Sequence, residues 1–291
     1  MLKKLNLQKN PFTGITAFII VLFVMPLGHT LMILIEYLFT NQYQFFAAFI
    51  LGLLGFFLLI LAIKKNNETP ATWLGFFAGI FIWTGWVEFS FVYFAHHLEI
   101  SPLIENGEVV TKPEYLILPS SIGLMFAIIP YFLFRSETRC HLFNWFQRLF
   151  KMDISPPEIS RKRNFGIITS TETIFVLWFF YTLLMLVYDN RIFGEKHMAT
   201  YFVFYGSLVW SSYLFYKLIN IKKIAPAIRY AIPTVIIFWN SIEILGRWGF
   251  FEEIWVHPTT YVWEMIIIFI TFIIFTTMSI INPKLTNSTK G

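Results

Sequence analysis

The stretch from Phe12 to Phe39, FTGITAFIIVLFVMPLGHTLMILIEYLF, determines how the rest of the chain is interpreted. It contains one histidine, His29, and one carboxylate, Glu36, in an otherwise apolar run. The run exceeds the ~20 residues that cross a hydrocarbon layer about 30 Å thick. Since backbone amides and carbonyls that face lipid must be satisfied within the segment, such a run forms a helix. The stretch therefore predicts a transmembrane helix.

Similar apolar runs continue along the whole chain. Of its 291 residues 57% are hydrophobic and 13% are charged, whereas roughly a quarter are charged in a soluble protein. The strict alternation of membrane barrel strands is absent, so each run is predicted to be a helix. The sequence predicts an all-α integral membrane protein with eight transmembrane helices. They cover Phe12–Phe39, Phe45–Ile63, Ala71–His96, Tyr115–Phe134, Ile167–Tyr188, Ala199–Ile219, Tyr230–Phe250 and Thr259–Ile281.

The distribution of lysine and arginine predicts the orientation of the helices. Basic residues concentrate at the N-terminus, in the second, fourth and sixth loops, and in the tail, whereas the other loops are acidic or balanced. The basic residues are Lys3, Lys4, Lys9, Lys64, Lys65, Arg135, Arg139, Arg148, Lys151, Arg161, Lys162, Arg163, Lys217, Lys222, Lys223, Arg229, Lys284 and Lys290. Positive loops stay in the cytoplasm. We therefore expect a multi-pass protein of the inner (cytoplasmic) membrane with both termini in the cytoplasm.

A long basic loop separates two parts of the chain. Its segment His141–Lys151 mixes apolar and basic residues, which suits a short helix lying on the inner membrane surface. The sequence thus predicts a first four-helix half over 1–134, a cytoplasmic loop over 135–165, and a second four-helix half over 166–291.

The two halves resemble each other. The sequence around His29 aligns with that around Tyr181, and in each half a tryptophan precedes a glutamate inside the third helix. The two glutamates are Glu88 and Glu243. Because each unit has an even number of helices, we expect parallel repeats related by an axis along the membrane normal.

Ionisable residues inside a transmembrane segment are costly and usually functional. With a rise of about 1.5 Å per residue, His29, Tyr181, Glu88 and Glu243 all lie roughly 10 Å below the outer membrane surface. We expect them to form a polar layer. A second layer nearer the periplasm comprises Glu36, His96, His97, Asp189, Glu252, Glu253 and His257.

Imidazole and carboxylate groups without thiolates are ligands for transition metals. The sequence therefore predicts a centre of iron, copper or zinc. The predicted ligands are His29, Glu88, His96, His97, His257 and Glu253, and the predicted catalytic residues are Glu88, Glu243 and Glu36. These residues are scattered along the chain and do not form a metal-binding motif, because no HxxxH or ExxH pair occurs.

Structural alternatives exist for several of these residues. Glu243 and Arg247 are four residues apart and could neutralise each other on one helix face. His96 and His97 would suit a helix C-terminus, where an imidazole interacts well with the helix dipole. The periplasmic carboxylates could be ordinary rim charges. His29 and Glu88 have no obvious partner in their own helices.

Three functions are compatible with this pattern. The first is a membrane-embedded metal-dependent enzyme of the oxidoreductase or hydroxylase type, acting on a lipid-soluble small molecule. The second is a proton- or ion-coupled transporter that uses Glu88 and Glu243. The third is a non-catalytic subunit of a larger membrane complex, with other membrane subunits as partners. The net charge of +5 lies in the loops, so the expected environment is the lipid bilayer and not nucleic acid.

Overall fold

The structure is a computed structural model that describes residues 11–39, 42–105, 108–133, 147–150 and 163–281. Long helices account for most of these residues. They are α1 (Phe12–Leu38), α2 (Gln42–Lys64), α3 (Glu68–His97), α4 (Pro113–Ile117, a 3₁₀ turn at Leu118–Ser121, and Ile122–Leu133), α5 (Phe165–Tyr188), α6 (Met198–Leu218), α7 (Ile224–Arg247) and α8 (Val262–Ile281). The fold is therefore that of an all-helical membrane protein.

Seven helices in the described part of the chain are long and apolar enough to cross a membrane: α1 to α5, α7 and α8. The remaining helix, α6, corresponds to the predicted span Ala199–Ile219 and has 21 residues. Its apolar face is interrupted by tyrosine and serine side chains, among them Tyr201, Tyr205 and Ser212. That α6 also crosses the bilayer stays a prediction.

A short β-hairpin connects α3 to α4, where the sequence analysis expected only a loop. Strands β1 (Leu103–Glu105) and β2 (Glu108–Thr111) pair antiparallel. In the sequence the pair Asn106-Gly107, a signal for a tight hairpin turn, lies between them. We call the end of the bundle where α3 ends and this hairpin lies the hairpin end.

The burial of the helices sets where a polar site can form. In α3 and α7, 61% of the apolar core segment is buried, against 22% in α2 and α8. The two central helices are those that carry Glu88 and Glu243. Several α7 residues, including Ile228, Ala231 and Val235, have no exposed surface. The outer helices α2 and α8 mainly present apolar side chains to the surroundings.

The division into halves is not decided by the described residues. The predicted interfacial helix His141–Lys151 lies mostly outside them, and within it only 147–150 is described, with a helical turn at 147–149. The boundaries 1–134, 135–165 and 166–291, and the internal repeat, stay predictions.

Small residues let α3 and α5 approach closely. A side-chain carbon added at Gly79 would lie 2.8 Å from Cβ of Thr173 and 3.0 Å from the backbone oxygen of Ser170. Gly75 is similarly close to the backbone of Gly166. Close backbone approach of this kind gives membrane helices their van der Waals contact.

We expect Gly79→Val to lower the thermal midpoint of the detergent-purified protein, because overpacking a close helix contact costs about 1–3 kcal/mol. Gly206→Val in α6 is the matched control, since an added carbon there meets no atom within 4 Å. Equal midpoints for the two variants would contradict the close contact between α3 and α5.

Candidate functional site

His29 lies at the meeting point of three helices. Its Nε2 atom is 2.5 Å from the hydroxyl of Tyr181 on α5 and 3.3 Å from Oε1 of Glu243 on α7. The same nitrogen thus faces a hydroxyl, which donates or accepts a hydrogen bond, and a carboxylate, which accepts one when ionised. The structure brings together three of the four residues of the expected polar layer around one nitrogen atom.

Glu243 is oriented by its own helix. The indole nitrogen of Trp239 donates a hydrogen bond of 2.6 Å to Oε1 of Glu243. The Trp239 ring also stacks on the His29 ring, with centroids 6.5 Å apart. Arg247, the alternative partner within the helix, is hydrogen-bonded to Glu195 and, at 2.8 Å, to the hydroxyl of Thr111. Glu243 is thus directed into the bundle and Arg247 towards the loops.

A π-helical segment places Glu88. It covers Trp83–Glu88 within α3, and such segments often occur at functional sites. Glu88 is 7% exposed. In the described part of the chain its carboxylate has no hydrogen bond or ion pair, although His29 lies within electrostatic range. A buried carboxylate without a partner is costly, so this position calls for a proton or another cation.

Glu88, His29 and Tyr181 line one cavity of about 40 Å³. At least about 10–15 Å³ is needed to hold one water molecule, so the space suits a few waters or one small solute. Trp83 also contributes to this polar end, and the rest of the wall is largely apolar. The other lining residues are Val21, Val24, Met25, Gly28, Phe76, Ile80, Thr84, Thr173, Leu177, Ile232 and Ile236.

A second charged cluster lies between this cavity and the hairpin. Lys112 Nζ is 3.1 Å from Oε2 of Glu36 and 3.8 Å from Oε1 of Glu114. Glu114 is 5% exposed, and its Oε1 has no hydrogen-bond partner in the described residues. All three charges act on Glu88. Glu36, expected as a catalytic residue, therefore contacts Lys112 and not His29.

The segment that follows α7 folds back over the site. Trp255 packs on Trp239 with ring centroids 4.8 Å apart, and the Glu253 side chain lies against Gly246. Burial, and next the charge of Glu243, raise the pKa of Glu253 to about 7, whereas His29 and Arg247 act in the opposite direction. Glu253 is therefore a carboxyl group that titrates near neutral pH beside the buried site.

The remaining expected ligands lie elsewhere. His96, His97 and His257 are exposed. His96 packs against Phe45, and His97 stacks on Tyr93. Within the described ranges no group of three or more histidine, cysteine, aspartate and glutamate side chains could hold a metal ion. The structure therefore divides the expected ligand set, with His29, Glu88 and Glu253 near the cavity and three histidines at the surface.

Sequence reasoning missed Lys112, Glu114 and Tyr115. Lys112 and Glu114 flank Pro113 at the start of α4, and neither is among the residues that the sequence predicted for the site. Tyr115 lies within electrostatic range of Glu88, Tyr181 and Glu243. Nothing in the sequence alone gave the rotation of α4 that points these groups inward.

No family model matches the chain, and neither a curated protein nor a solved structure is significantly similar to it.

We expect Tyr181→Phe to destabilise the protein by about 1 kcal/mol, because it removes a buried hydrogen bond to His29 while keeping the ring. Tyr188→Phe is the control, since the buried Tyr188 hydroxyl has no hydrogen-bond partner among the residues described. The thermal midpoints of the two variants test this difference. A Tyr188→Phe loss as large as that of Tyr181→Phe would contradict it.

The raised pKa of Glu253 predicts a pH dependence of stability. The pKa of Glu253 in the folded protein is about 7, above its ordinary value of 4.5. The contribution of such a group to the free energy of unfolding is complete below pH 4.5 and is lost as the pH rises through about 7. We expect the thermal midpoint of the wild type to decrease as the pH is raised from about 5 to about 8. The midpoint of Glu253→Gln should decrease less over the same range. Glu252→Gln at the exposed neighbouring position should follow the wild type.

Proposed function

We propose that this chain is a proton-coupled membrane transporter whose protons move through His29, Glu243 and Glu88. One observation carries the proposal: a single imidazole nitrogen faces both a tyrosine hydroxyl and a carboxylate beside a cavity of about 40 Å³. When Nε2 carries a proton it donates to Glu243 or to Tyr181. When it has lost the proton it accepts from the Tyr181 hydroxyl. The nitrogen keeps a hydrogen bond in both states.

Further titratable groups connect this centre with the hairpin end. Glu88 shares the cavity with His29, and the charges of Glu36, Lys112 and Glu114 lie within range of Glu88. On the other flank Glu253 lies near Glu243. Chains of carboxylates and histidines of this kind serve as proton relays in pumps and transporters.

The cavity is apolar at the end away from the hairpin. The cavity wall there is formed by Phe76, Ile80 and Ile232. Towards the start of α7, Arg229 is hydrogen-bonded at 2.5 Å to Glu68 and at 2.6 Å to Thr72, both on α3. Apolar side chains with an ion pair beyond them suit a state of an alternating-access cycle in which this end is closed.

The proposal includes the finer topology. All eight helices cross the inner membrane, α6 among them, and both termini lie in the cytoplasm, so that the hairpin end faces the periplasm. The basic loops support this orientation, and the resemblance around His29 and Tyr181 supports two parallel halves. In the proposed arrangement, the contact between these two residues would join the halves at the site.

The metal-dependent enzyme stays a prediction with less support. It needs several ligands on one ion, whereas His96, His97 and His257 face outward. The proton-transfer proposal uses only groups that the structure places together.

Purified protein in liposomes on a solid-supported membrane tests the proposed function. A pH step without any added solute should give a transient current, because protons move into groups within the bilayer. His29→Ala, Glu88→Gln and Glu243→Gln should each reduce the current towards that of protein-free liposomes. Glu264→Gln, in the exposed first turn of α8, is the matched control and should keep it. A wild-type trace equal to that of protein-free liposomes would overturn the proposal.

A further inference from the structure

We infer that the Glu88 end of the cavity binds a small ammonium ion, either ammonium itself or a methylated amine, as the solute exchanged against the proton. This inference rests on the proposed function and names its substrate class. It starts from the chemistry of the wall around Glu88, which combines an unpaired carboxylate with aromatic faces.

The carboxylate supplies the charge that an ammonium ion requires. Glu88 is more than nine-tenths buried, lines the cavity, and has no hydrogen bond or ion pair in the part of the chain that the structure describes. The groups whose charge reaches it are His29, Glu114, Glu36 and Lys112. Lys112 is already held by Glu36 at 3.1 Å. A mobile cation in the cavity would give Glu88 the partner that its own surroundings lack.

Aromatic rings supply the rest of the wall. Trp83 and Tyr181 stack at 6.1 Å between centroids, and both line the cavity. Ring faces attract organic cations, tryptophan most strongly, and the attraction increases when the site is desolvated. A strongly hydrated metal ion would find few oxygen ligands in this wall, whereas an ammonium ion with methyl groups contacts both the rings and the carboxylate.

The cavity leaves room for a small ion beside α1. Gly28 lines the cavity, and a side-chain carbon added there would meet no atom within 4 Å. With a volume of about 40 Å³, the cavity has room for a small cation such as ammonium or a methylated amine. A larger residue at position 28 would fill the space without changing any charge.

The exchange conserves charge at Glu88. With the site empty the carboxyl group carries a proton. When an ammonium ion enters, the proton leaves, and the carboxylate and the cation form a neutral pair. No uncompensated charge is buried in either state, and an uncompensated buried charge is the costly alternative.

Equilibrium binding of radiolabelled methylammonium to the full detergent-purified chain tests the inference. Unlabelled dimethylammonium should compete, whereas sodium and methanol should not. We expect Glu88→Gln to weaken binding more than about 100-fold and Trp83→Leu about 5- to 30-fold. Gly28→Val should block binding through size alone. His97→Ala, at an exposed histidine, is the control and should bind like the wild type.

The outcomes separate the inference from the proposed function. A pH-step current without methylammonium binding would overturn the ammonium site and leave proton transfer standing. Competition by sodium as strong as that by dimethylammonium would overturn the aromatic part of the site. Binding that survives both Glu88→Gln and Gly28→Val, with each variant eluting as a single folded species, would place the ligand elsewhere and overturn the inference.

Discussion

The contact of His29 with Tyr181 and Glu243 is the interaction around which the bundle is arranged. A carboxylate and an imidazole inside an apolar bundle are costly unless they are hydrogen-bonded or paired. The three groups come from α1, α5 and α7, so these helices must keep a fixed rotation and depth relative to one another. Trp239 restricts Glu243 further by donating to it from one turn away. Helix packing and the hydrogen bonds of the polar groups thus require the same arrangement of α1, α5 and α7.

The position of Glu88 depends on a different constraint. The π-helical segment Trp83–Glu88 shifts the register of α3 in its second half. Gly85, within this segment, lies so close to Gly52 of α2 that a side-chain carbon would overlap the backbone there. The combination of a widened helical turn and a small residue lets α3 approach α2 while its carboxylate faces the cavity on the other side.

The sequence predicted well those features that depend on one segment at a time. Apolar length gave the bounds of nearly every long helix to within a few residues, and depth along each helix gave the level of His29, Tyr181 and Glu243. The sequence did not predict features that depend on the rotation of a helix or on the contacts it makes with neighbouring helices. His96 and His97 are at the right depth for the second layer but lie on an exposed face, and Glu36 turns towards Lys112. The π-helical segment has no sequence signal in one chain, and without it the direction of Glu88 was open.

The lipid-facing helix α2 connects the surrounding bilayer mechanically with the buried carboxylate of Glu88. Only 22% of its apolar segment is buried, so its tilt responds directly to the lipid around it. The same helix holds the π-helical segment, through Gly52 and through the hydrogen bond of 3.2 Å from the Trp86 indole to the Phe49 carbonyl. Bilayer thickness and lateral pressure therefore act one helix away from Glu88, and the lipid composition of the membrane becomes a variable of the site itself.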